Sequence, residues 1–183
     1  MNGAAYLDSS RHEFRRLQTL ADGALAQVTD PQFFATLDPE SNSLAILVKH
    51  VGGNLRSRWV DFLTTDGEKP DRRRDLEFVL GPEDTRATLT ESWTAGWNAL
   101  HAAIDPLQPD DLERLVTIRG EPHTVLAAIQ RQVAHYGYHV GQIVFLAKHW
   151  AGADWTSLSI PRGASDGFNA RMADRFPGEG PPR

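Results

Sequence analysis

The amino-acid sequence predicts an all-α fold, namely a four-helix bundle with a long connection between helices 2 and 3 and an irregular C-terminal tail. Four segments carry apolar residues at the spacing of one helix face, no segment shows a convincing strand pattern, and the chain has no internal repeat. Helices of comparable length in this number pack naturally as a bundle. The 183 residues suffice for one domain with a substantial core.

The first helix is predicted over residues 5–27, where apolar positions recur at helical spacing between charged residues. Asp30 and Pro31 then combine a good N-cap with a proline at the first helical position. This pair predicts a short helical turn over residues 32–36, ahead of the break at Asp38 and Pro39.

The second helix is predicted over residues 44–63, with an N-cap from one of residues 41–43. Gly52 and Gly53 lie near its middle, and each costs roughly 1 kcal/mol relative to alanine. Two explanations stay open for this pair. Either a neighbouring helix or a ligand approaches closely, or the helix is locally weak.

A polar and strongly charged connection follows over residues 64–81, without periodicity of its own. Loops of this length are often functional, but the Arg72–Arg74 run is interpreted as a solvated charge cluster. Gly81-Pro82-Glu83-Asp84 combines a cap, a first-position proline and two acids. This motif predicts the start of the third helix, which ends at Ile104.

The fourth helix is predicted over residues 122–150, with Pro122 at its first position and a short extended piece before it at residues 115–118. After Gly152 the chain becomes irregular and ends rich in proline and glycine. The expected division is therefore a bundle over residues 1–154 and a C-terminal extension over residues 155–183, packed on the bundle or partly loose.

The composition argues against several classes of protein. A formal net charge of -5 is atypical of general nucleic-acid binders, and the lack of cysteine excludes disulfides, thiolate zinc sites and cysteine nucleophiles. The N-terminus lacks the pattern of a signal peptide, and no apolar stretch approaches membrane-spanning length. We expect a cytoplasmic protein that acts on a small molecule and binds neither nucleic acid nor membranes.

Histidines in two helices predict a metal site. His135 and His139 lie four residues apart on one helix face, where two imidazoles can bind one ion. His50 is the best third ligand, because it also lies mid-helix among apolar residues. Three imidazoles leave open coordination positions, where a divalent ion would lower the pKa of a water or a thiol. We expect Zn²⁺ or Ni²⁺, with Fe or Mn as alternatives. Core histidines satisfied by hydrogen bonds are the alternative interpretation.

Helical spacing places five further polar residues around these histidines, where each can orient an imidazole or contact an anionic substrate. They are Asn54, Arg58, Arg131, Gln132 and Gln142. Asn54 and Arg58 are the preferred substrate contacts, and ordinary polar packing is the alternative role for each. The sequence identifies no general acid or base, so the catalytic residues stay unknown.

Four sequence blocks carry a family resemblance over most of the chain. They are PESNSLAILVKHVGGNLRSRWVDFLTTDGEKP, IRGEPHTV, HYGYHVGQIV and LSIPRG. With them the chain resembles the DinB-like (YfiT-like) superfamily of metal-binding four-helix bundles, and within it an uncharacterised branch, a domain of unknown function. The superfamily motif is one histidine in the second helix and H-x-x-x-H in the fourth, which correspond to His50, His135 and His139.

This resemblance implies a DinB/YfiT-like bundle, a homodimer, and a metal that activates a low-molecular-weight thiol or water. Relatives in the superfamily include thiol S-transferases that use bacillithiol and a mycothiol-dependent maleylpyruvate isomerase, so a thiol S-transferase, an isomerase or a hydrolase is implied. Asp71 stands where the branch pattern has an aromatic residue after Lys69 and Pro70. The pocket therefore differs from that of the branch wherever this loop shapes it.

Two other functions stay open. In one, the protein is a non-catalytic metal-binding or interaction module with a role in stress. In the other, Lys69 and the Arg72–Arg74 run bind an acidic partner or nucleic acid.

Overall fold

The computed structural model describes residues 2–177, and these residues are mostly helical. They form six α-helices and one two-stranded sheet. In chain order the elements are α1 (Gly3–Leu25), α2 (Asp30–Phe34), α3 (Leu44–Trp59), α4 (Arg86–Ile104), β1 (Leu115–Ile118), β2 (Glu121–Thr124), α5 (Val125–Ala151) and α6 (Ser165–Arg175). Short 3-10 helices lie in the connections at Arg74–Phe78, Pro109–Glu113 and Gly152–Asp154.

Hydroxyl side chains determine where the later long helices begin. Ser43 Oγ accepts a hydrogen bond from the Ile46 amide at 3.2 Å and caps α3. Thr85 and Thr124 cap α4 and α5 in the same way, each accepting the N–H of the third residue after it. Pro122 lies in β2 and precedes this cap, so the prediction that it opens the fourth helix is wrong.

The predicted start of the third helix is also wrong by about one turn. Residues 81–84 form a turn in which Asp84 Oδ2 accepts the Gly81 amide at 2.7 Å and the Lys49 ammonium at 2.6 Å. These interactions hold Asp84 in the turn and leave Thr85 as the N-cap. The predicted end at Ile104 agrees with α4.

A β-hairpin joins α4 to α5, although the sequence predicted no sheet. β1 and β2 pair antiparallel, with Leu115 opposite Thr124 and Ile118 opposite Glu121. Arg119 and Gly120 form the turn with φ values of 58° and 76°, as expected for a two-residue hairpin loop. Strands of four residues carry too little alternation to be recognised from the sequence.

Close helix contacts explain one of the two consecutive glycines in α3. α3 packs along α4, and α1 packs along α5. A Cβ on Gly52 would lie 3.3 Å from Ser92 Oγ, and a Cβ on Gly96 in α4 would lie 2.8 Å from Leu55 Cβ. The small residues let the two backbones approach. Gly52 therefore marks a close helix approach and not a weak helix.

The aromatic cluster, formed by Phe14, Trp59 and Tyr136, lies at the centre of the core. The ring centroid of Phe14 lies 5.8 Å from that of Trp59 and 6.0 Å from that of Tyr136. Trp59 Nε1 donates a hydrogen bond to the Tyr136 hydroxyl at 3.0 Å, and this hydroxyl donates to Asn54 Oδ1 at 3.0 Å. Both polar atoms of the cluster are therefore satisfied, as stable cores require.

The C-terminal segment contains the helix α6, where the sequence predicted an irregular tail. Leu158 packs against α1, where a Cβ on Gly23 would lie 2.9 Å from Leu158 Cδ2, and Gln27 hydrogen bonds with the backbone of Thr156. Residues Ser165–Arg175 form α6, which buries none of its residues. The last part of the predicted extension, residues 178–183, lies outside the described residues.

Within residues 2–177, no helix has both the length and the apolar character that are required to cross a membrane.

Candidate metal centre

Three histidines from two helices converge at one point. His50 comes from α3, while His135 and His139 lie one turn apart on α5. One ring nitrogen of each lies within 4.8 Å of the other two. The ring centroids of His50 and His139 lie 4.9 Å apart, and those of His135 and His139 lie 4.7 Å apart. These three residues, the histidine cluster, are close enough to bind a single metal ion.

Glu77 fixes the ring of His50. His50 Nδ1 donates a hydrogen bond to Glu77 Oε2 at 2.8 Å, and both side chains are buried. This contact leaves Nε2 as the ring nitrogen available for a ligand bond. Gly53 makes room for the carboxylate, since a Cβ at that position would lie 2.4 Å from Glu77 Oε1. The second glycine of α3 therefore serves the site.

Arg72 in turn holds Glu77 in place. Its guanidinium donates two hydrogen bonds to the two carboxylate oxygens, at 2.8 and 2.9 Å, and a third to Glu68 Oε2 at 3.0 Å. Burial by itself would raise the pKa of Glu77, but the hydrogen bonds from His50 and Arg72 outweigh it and lower the pKa below its ordinary value. Glu77 is therefore an ionised carboxylate that accepts a hydrogen bond from the N–H at His50 Nδ1.

The other two histidines keep ring nitrogens without partners. His139 Nδ1 donates to Gln142 Oε1 at 2.9 Å, whereas His139 Nε2 and His135 Nδ1 are buried without a hydrogen-bond partner among residues 2–177. Burial lowers the pKa of His135 to about 3 and that of His139 to about 4, and the adjacent histidines add to both effects. Both rings are therefore neutral at neutral pH, the form that binds metal ions. Because unpaired buried nitrogens are rare in proteins, these residues fit a metal site.

A cavity of about 480 Å³ opens onto the histidine cluster, a size that suits a small ligand. His50 and His135 form part of its wall, whereas His139 does not line it. The other residues that line it are Asn54, Arg58, Arg72, Arg74, Phe78, Arg119, Arg131, Ala134 and Tyr138. A ligand in this cavity would therefore lie beside two of the three histidines that could hold an ion.

The five polar residues predicted from helical spacing fall into three groups. Asn54, Arg58 and Arg131 line the cavity, and Asn54 also accepts the Tyr136 hydroxyl. Gln142 contacts His139. Gln132 is buried in α5 and lines a separate, very small cavity beside Gly67 and Thr117.

Two functional residues were missed by sequence reasoning, Glu77 and Arg72. The Arg72 side chain is 3% exposed, so the interpretation of this residue as part of a solvated charge run is wrong. The sequence contained two signals. Glu77 stands between the apolar residues Leu76 and Phe78 near the end of the charged connection, and Gly53 in the second helix had no explanation. Such a buried carboxylate requires a partner, and it lies beside the histidine predicted to bind metal.

Comparison with curated proteins gives no significant match. The sequence profile of one family, described as Protein of unknown function (DUF1572), matches residues 1–164. The chain that carries this histidine cluster therefore belongs to the DUF1572 family.

Proposed function

We propose that the protein is a metal-dependent enzyme that holds a divalent ion on His50, His135 and His139 and uses it to activate a thiol or a water. The observation that carries this proposal is the convergence of three imidazoles, two buried and one half-buried, beside a cavity of ligand size, with unpartnered nitrogens on His135 and His139. Three histidine ligands with an open side are typical of catalytic metal sites, whereas structural sites are closed by four protein ligands.

In this proposal the ion activates the nucleophile, and residues of the protein orient the histidines that hold the ion. When bound, a divalent ion acts as a Lewis acid that lowers the pKa of a thiol or a water and so supplies a nucleophile near neutral pH. Glu77 orients the His50 ring and Gln142 orients the His139 ring. Both carboxylate oxygens of Glu77 accept hydrogen bonds from His50 or Arg72, so Glu77 orients His50 and is not free to act as a general base.

The reaction class follows from the resemblance to the DinB-like superfamily, in which low-molecular-weight thiols are activated. A thiol S-transferase, an isomerase or a hydrolase fits the same site. The DinB-like four-helix bundle is part of the proposal, and it is supported by the shared core of α1, α3, α4 and α5 and by the position of one histidine on α3 and two on α5.

Elemental analysis of protein purified without a histidine tag tests the metal. We expect about one divalent ion per chain in the wild-type protein and its loss in His135→Ala. His12→Ala is the matched control, because His12 is exposed on α1 and is expected to leave the metal content unchanged. A wild-type protein that contains no metal and cannot be loaded with Zn²⁺, Ni²⁺, Fe²⁺ or Mn²⁺ would refute the proposal.

Activity of the metal-loaded protein tests the chemistry. We expect turnover either of an electrophilic acceptor with a low-molecular-weight thiol or of an activated ester with water, and we expect His135→Ala to abolish it. If the protein binds metal stoichiometrically but shows neither reaction over a broad substrate panel, the alternative of a non-catalytic metal-binding module is favoured.

A further inference from the structure

Arginines dominate the wall of the cavity beside the histidine cluster. Five of them line it, namely Arg58, Arg72, Arg74, Arg119 and Arg131. The chain as a whole has a formal charge of -5, so this concentration of positive charge is local. Clefts lined by one sign of charge attract ligands of the opposite sign.

The two arginines at the base of the cavity are paired by buried or partly buried carboxylates. Arg72 is bound by Glu77 and Glu68, and Arg58 donates to Glu68 Oε2 at 3.0 Å. Arg58 is 4% exposed, and its Nε has no hydrogen-bond partner within residues 2–177. The positive charges of Arg58 and Arg72 are therefore balanced by the negative charges of Glu68 and Glu77.

The rim of the cavity is formed by the other three arginines, which are exposed and come from three different parts of the chain. They are Arg74 in the α3–α4 connection, Arg119 in the hairpin turn and Arg131 on α5. Among the described residues, the one carboxylate in salt-bridge contact with Arg74 is that of Asp75, which lies at 3.4 Å and is 96% exposed, and Arg119 shares Glu68 at 3.3 Å. Arg131 forms no salt bridge with any residue of the described part of the chain. The rim therefore carries excess positive charge.

Two contacts hold parts of the rim in place. Arg74 stacks on the ring of Phe78, with its Cζ 5.0 Å from the ring centroid. The backbone amides of Arg119 and Gly120 each donate to the Asp66 carboxylate at 2.8 Å, which holds the hairpin turn beside the cavity. Arg131 lies one helical turn before His135, on the same face of α5. All three arginines therefore line the same cavity as His50 and His135.

We infer that the cavity binds a small substrate that carries an oxyanion, a carboxylate or a phosphate, with this group held at the rim by Arg131 together with Arg74 and Arg119. The reactive end of the substrate then lies against the histidine cluster. Guanidinium groups are suited to this role, because their planar donors match both carboxylate and phosphate oxygens. That the bound oxyanion is a substrate rests on the proposed enzymatic function, whereas binding of the anion itself does not require the metal.

Calorimetric titration at low ionic strength tests the inference, with inorganic phosphate and malonate as the two probes. Metal-free and metal-loaded protein are titrated separately, because a metal ion can bind anions directly. We expect saturable binding to both forms and a dissociation constant that is about 10- to 100-fold higher in Arg131→Gln, the loss typical of one charge-assisted contact. Tighter binding of phosphate identifies a phosphoryl group, and tighter binding of malonate identifies a carboxylate.

Arg171→Gln is the matched control, because Arg171 is an exposed arginine on α6. It is expected to bind both probes like the wild type. The inference is overturned if metal-free protein binds neither anion, or if Arg131→Gln and Arg171→Gln have equal affinities. Metal content measured on the same samples separates the two proposals. Protein that cannot be loaded with metal but still binds anions through Arg131 refutes only the enzymatic function, and metal-loaded protein without such binding refutes only the inference.

Discussion

The aromatic cluster and the histidine cluster are neighbours on α5, where Tyr136 directly follows His135, yet they differ in whether their buried polar atoms have hydrogen-bond partners. The Trp59 indole, the Tyr136 hydroxyl and Asn54 form a continuous chain of hydrogen bonds. Beside them, His135 Nδ1 and His139 Nε2 have no partner within residues 2–177. The first cluster is thus a core that stabilises the fold, and the second keeps its binding capacity free for a ligand.

The largest expected effect tests the stabilising role of the aromatic cluster. Trp59→Ala is expected to lower the free energy of unfolding by about 3–5 kcal/mol, because it removes a large buried ring. In metal-free protein, His135→Ala is expected to cost less than about 1.5 kcal/mol, because it also removes an unpartnered buried nitrogen. Urea denaturation measures both. Phe145→Ala, at a 63% exposed ring, is the control and should change stability by less than about 0.5 kcal/mol. Equal losses for Trp59→Ala and His135→Ala would contradict the comparison.

The next effect concerns the hydrogen bond that prepares His50. Glu77→Gln is expected to raise the dissociation constant for a divalent ion about 10- to 100-fold, the usual result of losing a carboxylate behind a ligand histidine. Competition with a chromophoric chelator measures this constant. Asp75→Asn changes a carboxylate that is 96% exposed two residues away, and it should leave the affinity unchanged.

Gly53→Ala provides a second route to the same effect. The added Cβ would lie 2.4 Å from Glu77 Oε1, so the carboxylate must move away from His50. Weaker metal binding is therefore expected here as well. If both Glu77→Gln and Gly53→Ala bind metal like the wild type, Glu77 does not position His50.

The smallest effect extends the comparison to a satisfied polar group at the hairpin turn, Asp66. Slight burial tends to raise the pKa of Asp66, but hydrogen bonds from the amides of Glu68, Gly120 and Arg119 lower it to about 2. Because this value lies below the unfolded value of about 3.9, the carboxylate stabilises the fold above about pH 4 and loses this contribution as the pH falls through about 2.

Asp66→Asn is therefore expected to lower the free energy of unfolding by about 1–2 kcal/mol at neutral pH. Its difference from the wild type should shrink as the pH falls from about 4 to about 2. Urea denaturation across this range measures the difference, and Asp174→Asn, at an exposed residue of α6, should show none. A difference that stays constant with pH would show that the carboxylate charge is not the stabilising feature.

Local sequence patterns predicted the long helices well, because each has a continuous apolar face, although α3 ends at Trp59 and not at the predicted residue 63. α3 and α5 were located closely enough to bring His50, His135 and His139 together. The errors lie where signals compete. Pro82 and Pro122 are both good first residues for a helix, but hydroxyl caps further along the chain determine the actual starts.

The surroundings of the histidines were harder to predict, since they depend on contacts between distant segments. Glu77 reaches His50 across 27 positions of sequence, and only because Gly53 lacks a side chain. Arg72 resembles any solvated arginine in a charged run until Glu77 and Glu68 are placed around it. Helical spacing identifies neighbours within one helix, but it contains no information about a loop that folds back onto that helix.

The origin of these residues makes the site modular. α3 and α5 carry the three imidazoles, whereas the α3–α4 connection contributes Glu68, Arg72, Arg74 and Phe78. Exchanging that connection between related proteins would change which ligands the cavity binds, while the three imidazoles keep their positions. This requires an acidic residue at position 77 and a glycine at position 53.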